Sequence, residues 1–473
     1  MPIKNLTLFF INIFFFIHLH AINIDTETYG GFGLVKIYSN SEKPSSIAIF
    51  ISGDGGWKSG VVDMAQSIAS LDVMVIGVDI NKYFAYLRKL TSACYYPAAD
   101  FENLSKFIQK KRHLTHYLSP VLIGYSSGAT LAYGILAQAP ENTFIGAMGL
   151  GFCPDIDLPK HLCKGAGLEC SAIKKKGYDL LPVGLKAPFV ALLGENDKVC
   201  SPPDVKIFID KTPKSELILL PKVGHGFAVE KNWMPQFIGA YKHILTLDEE
   251  RRAKLITKET ESGAVKPKET ANLPVKLIPT TKPAKALIFM ISGDGGWTGF
   301  DQQLAEHLAE QAYPVVGLDA LQYFWSEKTP AGVIKDITPV INHYMKEWKC
   351  DEVILLGYSF GANVIPFLVN DFSPEIKGKI KLVAMMSPDE KADFEIHISD
   401  MINIFGDRGD YNVKAEMLKM KEKTLLIFGS DEVPTKFDDL PKKQFKQVTI
   451  SGGHHYGNNF DALTNGIVNA TKE

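Results

Sequence analysis

The segment IAIFISGDGGW, ending at Trp57, returns as ALIFMISGDGGW, ending at Trp297, so Ser52 recurs as Ser292, 240 positions later. The same offset carries Val35-Lys36-Ile37 onto Val275-Lys276-Leu277 and VIGVD, ending at Asp79, onto VVGLD, ending at Asp319. It still holds where Tyr83-Phe84 meets Tyr323-Phe324. A register kept over so long a stretch marks a duplication. A chain of 473 residues has room for two sizeable cores of the α/β kind.

Within each copy the pattern alternates. Short apolar runs at Ile47 to Ile51 and Leu287 to Ile291 fit buried strands. A glycine-rich turn follows each, then a helical period such as GFDQQLAEHLAEQA, with Leu304, Leu308 and Ala312 on one face. Further strands are expected at Val73 to Val78 and Val121 to Ile123, and at Val315 to Leu318 and Val353 to Leu356. Strands alternating with helices imply a mostly parallel sheet covered on both faces. The expectation is two tandem α/β domains, at residues 22–247 and 271–473. Residues 248–270, charged and without aromatics, read as an exposed linker or a frayed terminal helix.

The first 21 residues carry Lys4, an apolar run from Leu6 to Leu19, and Ala21 as a small residue before a cut. This is the form of a secretory signal peptide, so the remainder is expected to be exported across a membrane. Lys and Arg number 51 against 53 Asp and Glu, a net charge of −2, which argues against a nucleic-acid binder. Six cysteines agree with an oxidising compartment. Cys163 and Cys170, seven apart, are the expected local bridge, although six cysteines allow 15 full pairings. The absence of Cys-x-x-Cys or paired Cys/His spacing gives no reason to expect a metal, and no cofactor motif is present.

The third strand of each copy runs into a glycine-framed serine, Gly124-Tyr125-Ser126-Ser127-Gly128 and Gly357-Tyr358-Ser359-Phe360-Gly361. G-x-S-x-G between a strand and a helix is the pattern of a nucleophile elbow, where larger neighbours would clash with the sharp turn. A serine needs a base and an orienting acid, and in this fold they follow in the order serine, acid, histidine. The first copy offers Asp197 and His225. The second offers His454 and two adjoining acids. Matching Asp-Lys-Val-Cys to Asp-Glu-Val-Pro selects Asp431, while counting from the preceding glycine selects Glu432. Asp431 is the preferred expectation, with Glu432 as the alternative. His455 is a neighbour that could orient or line the site. The oxyanion formed by attack on a carbonyl needs N–H donors. Those expected are Phe360 with Asp294 or Gly295, and Ser127 with Asp54 or Gly55 in the first copy. SGDGGW lacks the Lys-Ser/Thr of a nucleotide-binding loop.

SGDGGW, GLDALQYFWSEKTP, GYSFGANVIPF, ADFEIHI and GGHHYG together resemble the VirJ/AcvB family of exported bacterial proteins. The second copy resembles it along nearly its whole length. The first shares SGDGGW, Tyr83-Phe84 and the elbow but lacks FWSEKTP and ADFEIHI. The two-copy layout is similar to the longer, AcvB-like members. The resemblance implies an α/β-hydrolase fold, a periplasmic location and hydrolysis of aminoacylated, notably lysyl, phosphatidylglycerol at the membrane surface. It also implies an association with virulence and type IV secretion, and hence a chaperone-like alternative. Carried over by motif, Ser359, Asp431 and His454 would do the work. Asp294, Asp319, Asp393 and Glu395 would be candidates to meet a cationic amino acid, the alternatives being a helix cap for Asp319 and a polar face for Asp393 and Glu395. Tyr323 and Trp325 would touch the lipid interface, clamp over the active site, or belong to the core. The triad alone leaves an esterase, thioesterase or peptidase of another substrate open.

Overall fold

The computed structural model describes residues 21–173, 177–261, 273–397, 410–432 and 437–472. The expected signal peptide, apart from Ala21, lies outside the described residues, and no described helix is long and apolar enough to cross a membrane.

The first half opens with an antiparallel hairpin, β1 (Asn23–Tyr29) and β2 (Gly33–Ser39). The alternating part then runs β3 (Ser46–Ile51), α1 (Gly60–Ala69), β4 (Val73–Val78), α2 (Ile80–Leu87), α3 (Pro97–Lys111), β5 (Val121–Tyr125), α4 (Ser127–Gln138) and β6 (Gly146–Leu150). It ends with β7 (Phe189–Gly194), α5 (Pro202–Asp210), β8 (Ser215–Leu220) and α6 (Met234–Glu261). The sheet order is β1-β2-β4-β3-β5-β6-β7-β8, parallel from β4 onward.

The second half repeats the plan with β9 (Val275–Ile278), β10 (Leu287–Ile291), α7 (Gly299–Glu310), β11 (Val315–Leu318), α8 (Ala320–Tyr323), α9 (Pro330–Glu347), β12 (Val353–Tyr358) and α10 (Phe360–Asp371). β13 (Ile380–Met386), β14 (Thr424–Gly429), β15 (Phe445–Ile450) and α11 (Phe460–Ala470) complete it. Its order is β9-β11-β10-β12-β13-β14-β15, with only β9 antiparallel to its neighbour. The α/β-hydrolase class is therefore present twice. The stretch expected as a linker begins inside α6, which runs on to Glu261. Residues 262–270 lie outside the described residues.

Fully buried central strands explain the continuous apolar runs. Along β3, Ile47, Ile49 and Ile51 pack toward α2, α3 and α4, while Ala48 and Phe50 pack toward α1 and α6. β10 divides in the same way between Leu287, Phe289, Ile291 and Ile288, Met290. The glycines of VIGVD and VVGLD have a specific cause. A Cβ on Gly77 would lie 2.2 Å from the Trp57 ring, and one on Gly317 would lie 2.0 Å from that of Trp297. Each SGDGGW tryptophan thus lies flat on the neighbouring strand.

The bridge expected between Cys163 and Cys170 is not formed. Cys163 pairs with Cys94, Cys153 pairs with Cys200, and Cys170 is free. Separation along the chain was a poor guide because the strand order brings distant loops together. The Tyr95–Leu162 bridge, for example, sets the Cys94 and Cys163 backbones side by side.

Candidate active site

Both serines sit where β5 and β12 turn into α4 and α10 with left-handed backbones, Ser126 at φ 54° and Ser359 at φ 52°. Non-glycine residues rarely accept this, at a cost of about 1–3 kcal/mol. The surrounding glycines make the turn possible. A Cβ on Gly124 would fall 2.1 Å from the Gly128 carbonyl, and one on Gly361 would fall 2.1 Å from that of Ile291.

In the first copy three side chains converge. Ser126 Oγ is 3.0 Å from His225 Nε2, and His225 Nδ1 is 2.8 Å from Asp197 Oδ2. The Asp197 side chain is fully buried, and its other oxygen accepts the Val199 and Cys200 N–H groups, both at 2.9 Å. The acid is fixed before the ring meets it. Asp197, Cys200 and His225 also cluster as metal ligands would. However, the Cys200 sulfur is bonded to Cys153 and offers no thiolate.

In the second copy the carboxylate that meets the histidine is Glu432. Its Oε1 lies 2.7 Å from His454 Nδ1. The preferred residue, Asp431, does not meet the ring; it accepts from the Ser430 hydroxyl on the exposed turn. The backbone explains the correction. Asp197 and Glu432 each donate their N–H to the glycine that ends the strand, Gly194 and Gly429, so both stand third after that glycine. Burial would raise the Glu432 carboxyl, but donation from Ser387 (2.7 Å), Gly429 N–H (2.7 Å) and His454 outweighs it and holds the pKa below the ordinary value. Among the described residues no hydrogen bond joins Ser359 Oγ to His454. This site is also more open, with the His454 side chain 45% exposed against 19% for His225. His455 turns away to meet Phe300 and Tyr358 edge-on; burial, then the neighbouring His454, lowers its pKa.

Two further pairs escaped the sequence reading. Tyr125 donates to the His225 carbonyl (3.0 Å) and Tyr358 to that of His454 (3.1 Å), fastening each histidine loop to the residue before the serine. Ser52 and Ser292, both buried, accept the N–H of Ile80 and Ala320 and so anchor the SGDGGW turn to the next helix. Their recurrence in both copies was the available signal.

Of the expected oxyanion donors, Phe360 and Ser127 begin α10 and α4, where the first N–H groups have no helical acceptor. Asp294 and Gly295 are the exposed centre of a turn closed by Gly296 N–H on the Gly293 carbonyl. Gly293 itself lies against the elbow, where a Cβ would be 3.5 Å from Ser359 Cβ.

The residues expected to meet substrate are mostly engaged elsewhere. Asp319 caps α8, accepting from Gln322 N–H (3.1 Å), as Asp79 caps α2. Tyr323 donates to Asp336 (2.6 Å), repeating Tyr83 and Asp100. Asp393 faces His397 at 3.6 Å. Trp325 is 2% exposed, tilted against Tyr117 and donating to the Leu114 carbonyl (2.7 Å) of the first half. Glu395 pairs with Lys110 of the first half at 2.6 Å. Trp325 and Glu395 both join the halves. The ring gains from burial there, and the Lys110 ammonium offsets part of the cost of desolvating the half-buried Glu395 carboxylate.

No curated protein matches the sequence. Among solved structures, an esterase from Pyrobaculum calidifontis is 14% identical at TM-score 0.34, over 48% of this chain and 85% of its own. Est1E from Butyrivibrio proteoclasticus is 11% identical at TM-score 0.32, over 48% and 99%. An alpha-beta serine hydrolase homologue from Coxiella burnetii is 12% identical at TM-score 0.31, over 47% and 96%. The family described as bacterial virulence protein (VirJ) matches residues 45–145 and 285–473, reaching both elbow-bearing halves. On that match, the chain belongs to the VirJ family.

Proposed function

We propose that the protein is a serine ester hydrolase. The observation that carries this is the relay in the first half, Ser126 to His225 at 3.0 Å and His225 to Asp197 at 2.8 Å, behind a left-handed serine. His225 Nε2 takes the Ser126 proton as Oγ attacks the ester carbonyl, and Asp197 holds the ring and balances its charge. The oxyanion lies toward the Ser127 N–H and the glycine turn at Gly53 to Gly56. Collapse releases the alcohol with the proton from His225, and water then frees the acid by the same route in reverse.

The second half has the same parts in Ser359, His454 and Glu432. Its family resemblance favours the aminoacyl ester of aminoacylated, notably lysyl, phosphatidylglycerol. Ser359 would attack the aminoacyl carbonyl, releasing the amino acid and leaving phosphatidylglycerol in the membrane. With Asp319 and Glu395 otherwise engaged, Asp294 is the exposed carboxylate of the glycine turn beside the elbow and suits a cationic aminoacyl group. On this reading the protein works in the periplasm, delivered by its N-terminal segment.

Fluorophosphonate labelling of wild type, Ser126→Ala, Ser359→Ala and the double variant tests the chemistry. Label lost from each serine in turn, and absent from the double variant, is expected. Equal labelling of all four removes serine catalysis and leaves a binding or chaperone role. Lipid extracts from cells with and without the protein test the substrate, and unchanged aminoacylated phosphatidylglycerol rejects it.

A further inference from the structure

The two halves differ beside their serines. The 240-residue register sets Gly60 opposite Phe300, and matching the histidines sets Gly226 opposite His455 and Phe227 opposite Tyr456. In the second half the Phe300 ring is packed among Tyr358 (4.8 Å), His455 (5.6 Å) and Tyr456 (6.2 Å). In the first half the counterparts of those three, Tyr125, Gly226 and Phe227, line an open cleft of about 440 Å³ instead. Two side chains of the second half have only glycine counterparts in the first, and among the described residues no other side chain fills the space.

The cleft lies next to the nucleophile. Tyr125 precedes Ser126, Gly226 follows His225, and a Cβ on Gly53, another wall residue, would lie 3.0 Å from Ser126 Cβ. Its inner wall is apolar, with Val61, Met64 and Trp233 all buried, and Trp233 is locked by its N–H on the Phe227 carbonyl (2.8 Å). Charge is confined to side chains at the exposed edge, such as Lys58 and Glu230. A concave apolar wall beside a few polar groups, at this volume, suits a small organic group rather than a headgroup.

We propose that this cleft binds a compact apolar or aromatic group, the size of a hexanoyl or benzoyl unit, on the ester that Ser126 attacks. The proposal rests on the esterase reading above. The first half then takes a different ester from the second, whose equivalent space is closed by Phe300.

The test is made in full-length protein carrying Ser359→Ala, so that only Ser126 turns over. Two substrate series are compared by kcat/KM, p-nitrophenyl acetate against hexanoate, and ethyl acetate against phenyl acetate. Gly60→Phe restores the second-half side chain. A Cβ at Gly60, and one at Gly226, meets nothing within 4 Å, so neither Gly60→Phe nor Gly226→His clashes at its Cβ. Expected is a fall of about tenfold or more in the large-to-small ratio of one series for Gly60→Phe. A smaller fall is expected for Gly60→Ala, and thermal midpoints report that each variant is folded. Turnover with unmoved ratios in both series, for both Gly60→Phe and Gly226→His, overturns the pocket alone. Absence of both fluorophosphonate label on Ser126 and turnover of every ester overturns the esterase reading, and the pocket with it.

Discussion

At the scale of single residues, the second-half acid gives the sharpest contrast. Glu432→Gln removes the partner of His454 Nδ1. If Ser359 turns over as proposed, its kcat should fall on the order of 10³- to 10⁴-fold. Asp431→Asn, one position away on the exposed turn, should change it less than twofold. Stability supplies an independent check. The Glu432 pKa is held below its ordinary value of 4.5, so its ionised form stabilises the fold fully above that value. That contribution is lost as pH falls through the lowered value. The gap in urea midpoint between wild type and Glu432→Gln should be widest near pH 7 and shrink as the pH falls through the lowered value. Tyr125→Phe tests positioning at the other site. Losing the bond to the His225 carbonyl should lower kcat about tenfold with little change in KM, because the loop drifts while the pocket stays. The serines, histidines and Asp197 were legible because the chemistry demands those side chains in that chain order. Glu432 was legible only by counting from Gly429, since the turn sets position and letter matching does not.

At the scale of elements, the continuous apolar runs of the central strands were readable because both faces are buried. The edge hairpin was not, since β1 is mostly exposed and carries no such run. Disulfide pairing was equally hidden, because it depends on which loops the strand order brings together. That pairing has a functional consequence. Cys153 follows β6 and Cys200 follows β7, so their bond ties two strand-end loops together, and Cys200 N–H holds Asp197. Closing a 47-residue separation stabilises by about 4 kcal/mol in the chain-entropy account. The described cysteine of the second half, Cys350, is unpaired, so its relay has no such brace. Mild reduction should therefore slow fluorophosphonate labelling of Ser126 while leaving that of Ser359 at its original rate. Cys153→Ala/Cys200→Ala should reproduce the effect without reductant. Equal slowing at both serines would show that the bond is not what holds the acid.

At the scale of the whole molecule, the segments peculiar to the second copy have a common place. FWSEKTP and ADFEIHI bond to each other through Lys328 N–H on the Phe394 carbonyl and Ile396 N–H on the Phe324 carbonyl, both 2.9 Å. Together they meet the end of α3 and the loop after it. The Lys110 ammonium there lies over the Trp325 ring, bonds its carbonyl and pairs with Glu395, while Gln322 reaches the Tyr117 carbonyl. A sequence read one copy at a time assigns such motifs to substrate, because the surface they cover belongs to the other copy and nothing in the repeat announces it. The first copy, which lacks the segments, supplies the opposing surface. Trp325→Ala should cost about 3–5 kcal/mol by emptying a fully packed site, and the loss should fall on the joint between two self-contained sheets. Calorimetry should then resolve two unfolding transitions where wild type shows fewer or closer ones, and limited proteolysis should release two elbow-bearing fragments. Ser126 labelling should persist, because its relay is built from first-half residues alone. Trp325→Ala that unfolds in step with wild type and resists cleavage would mean that the halves are held together elsewhere.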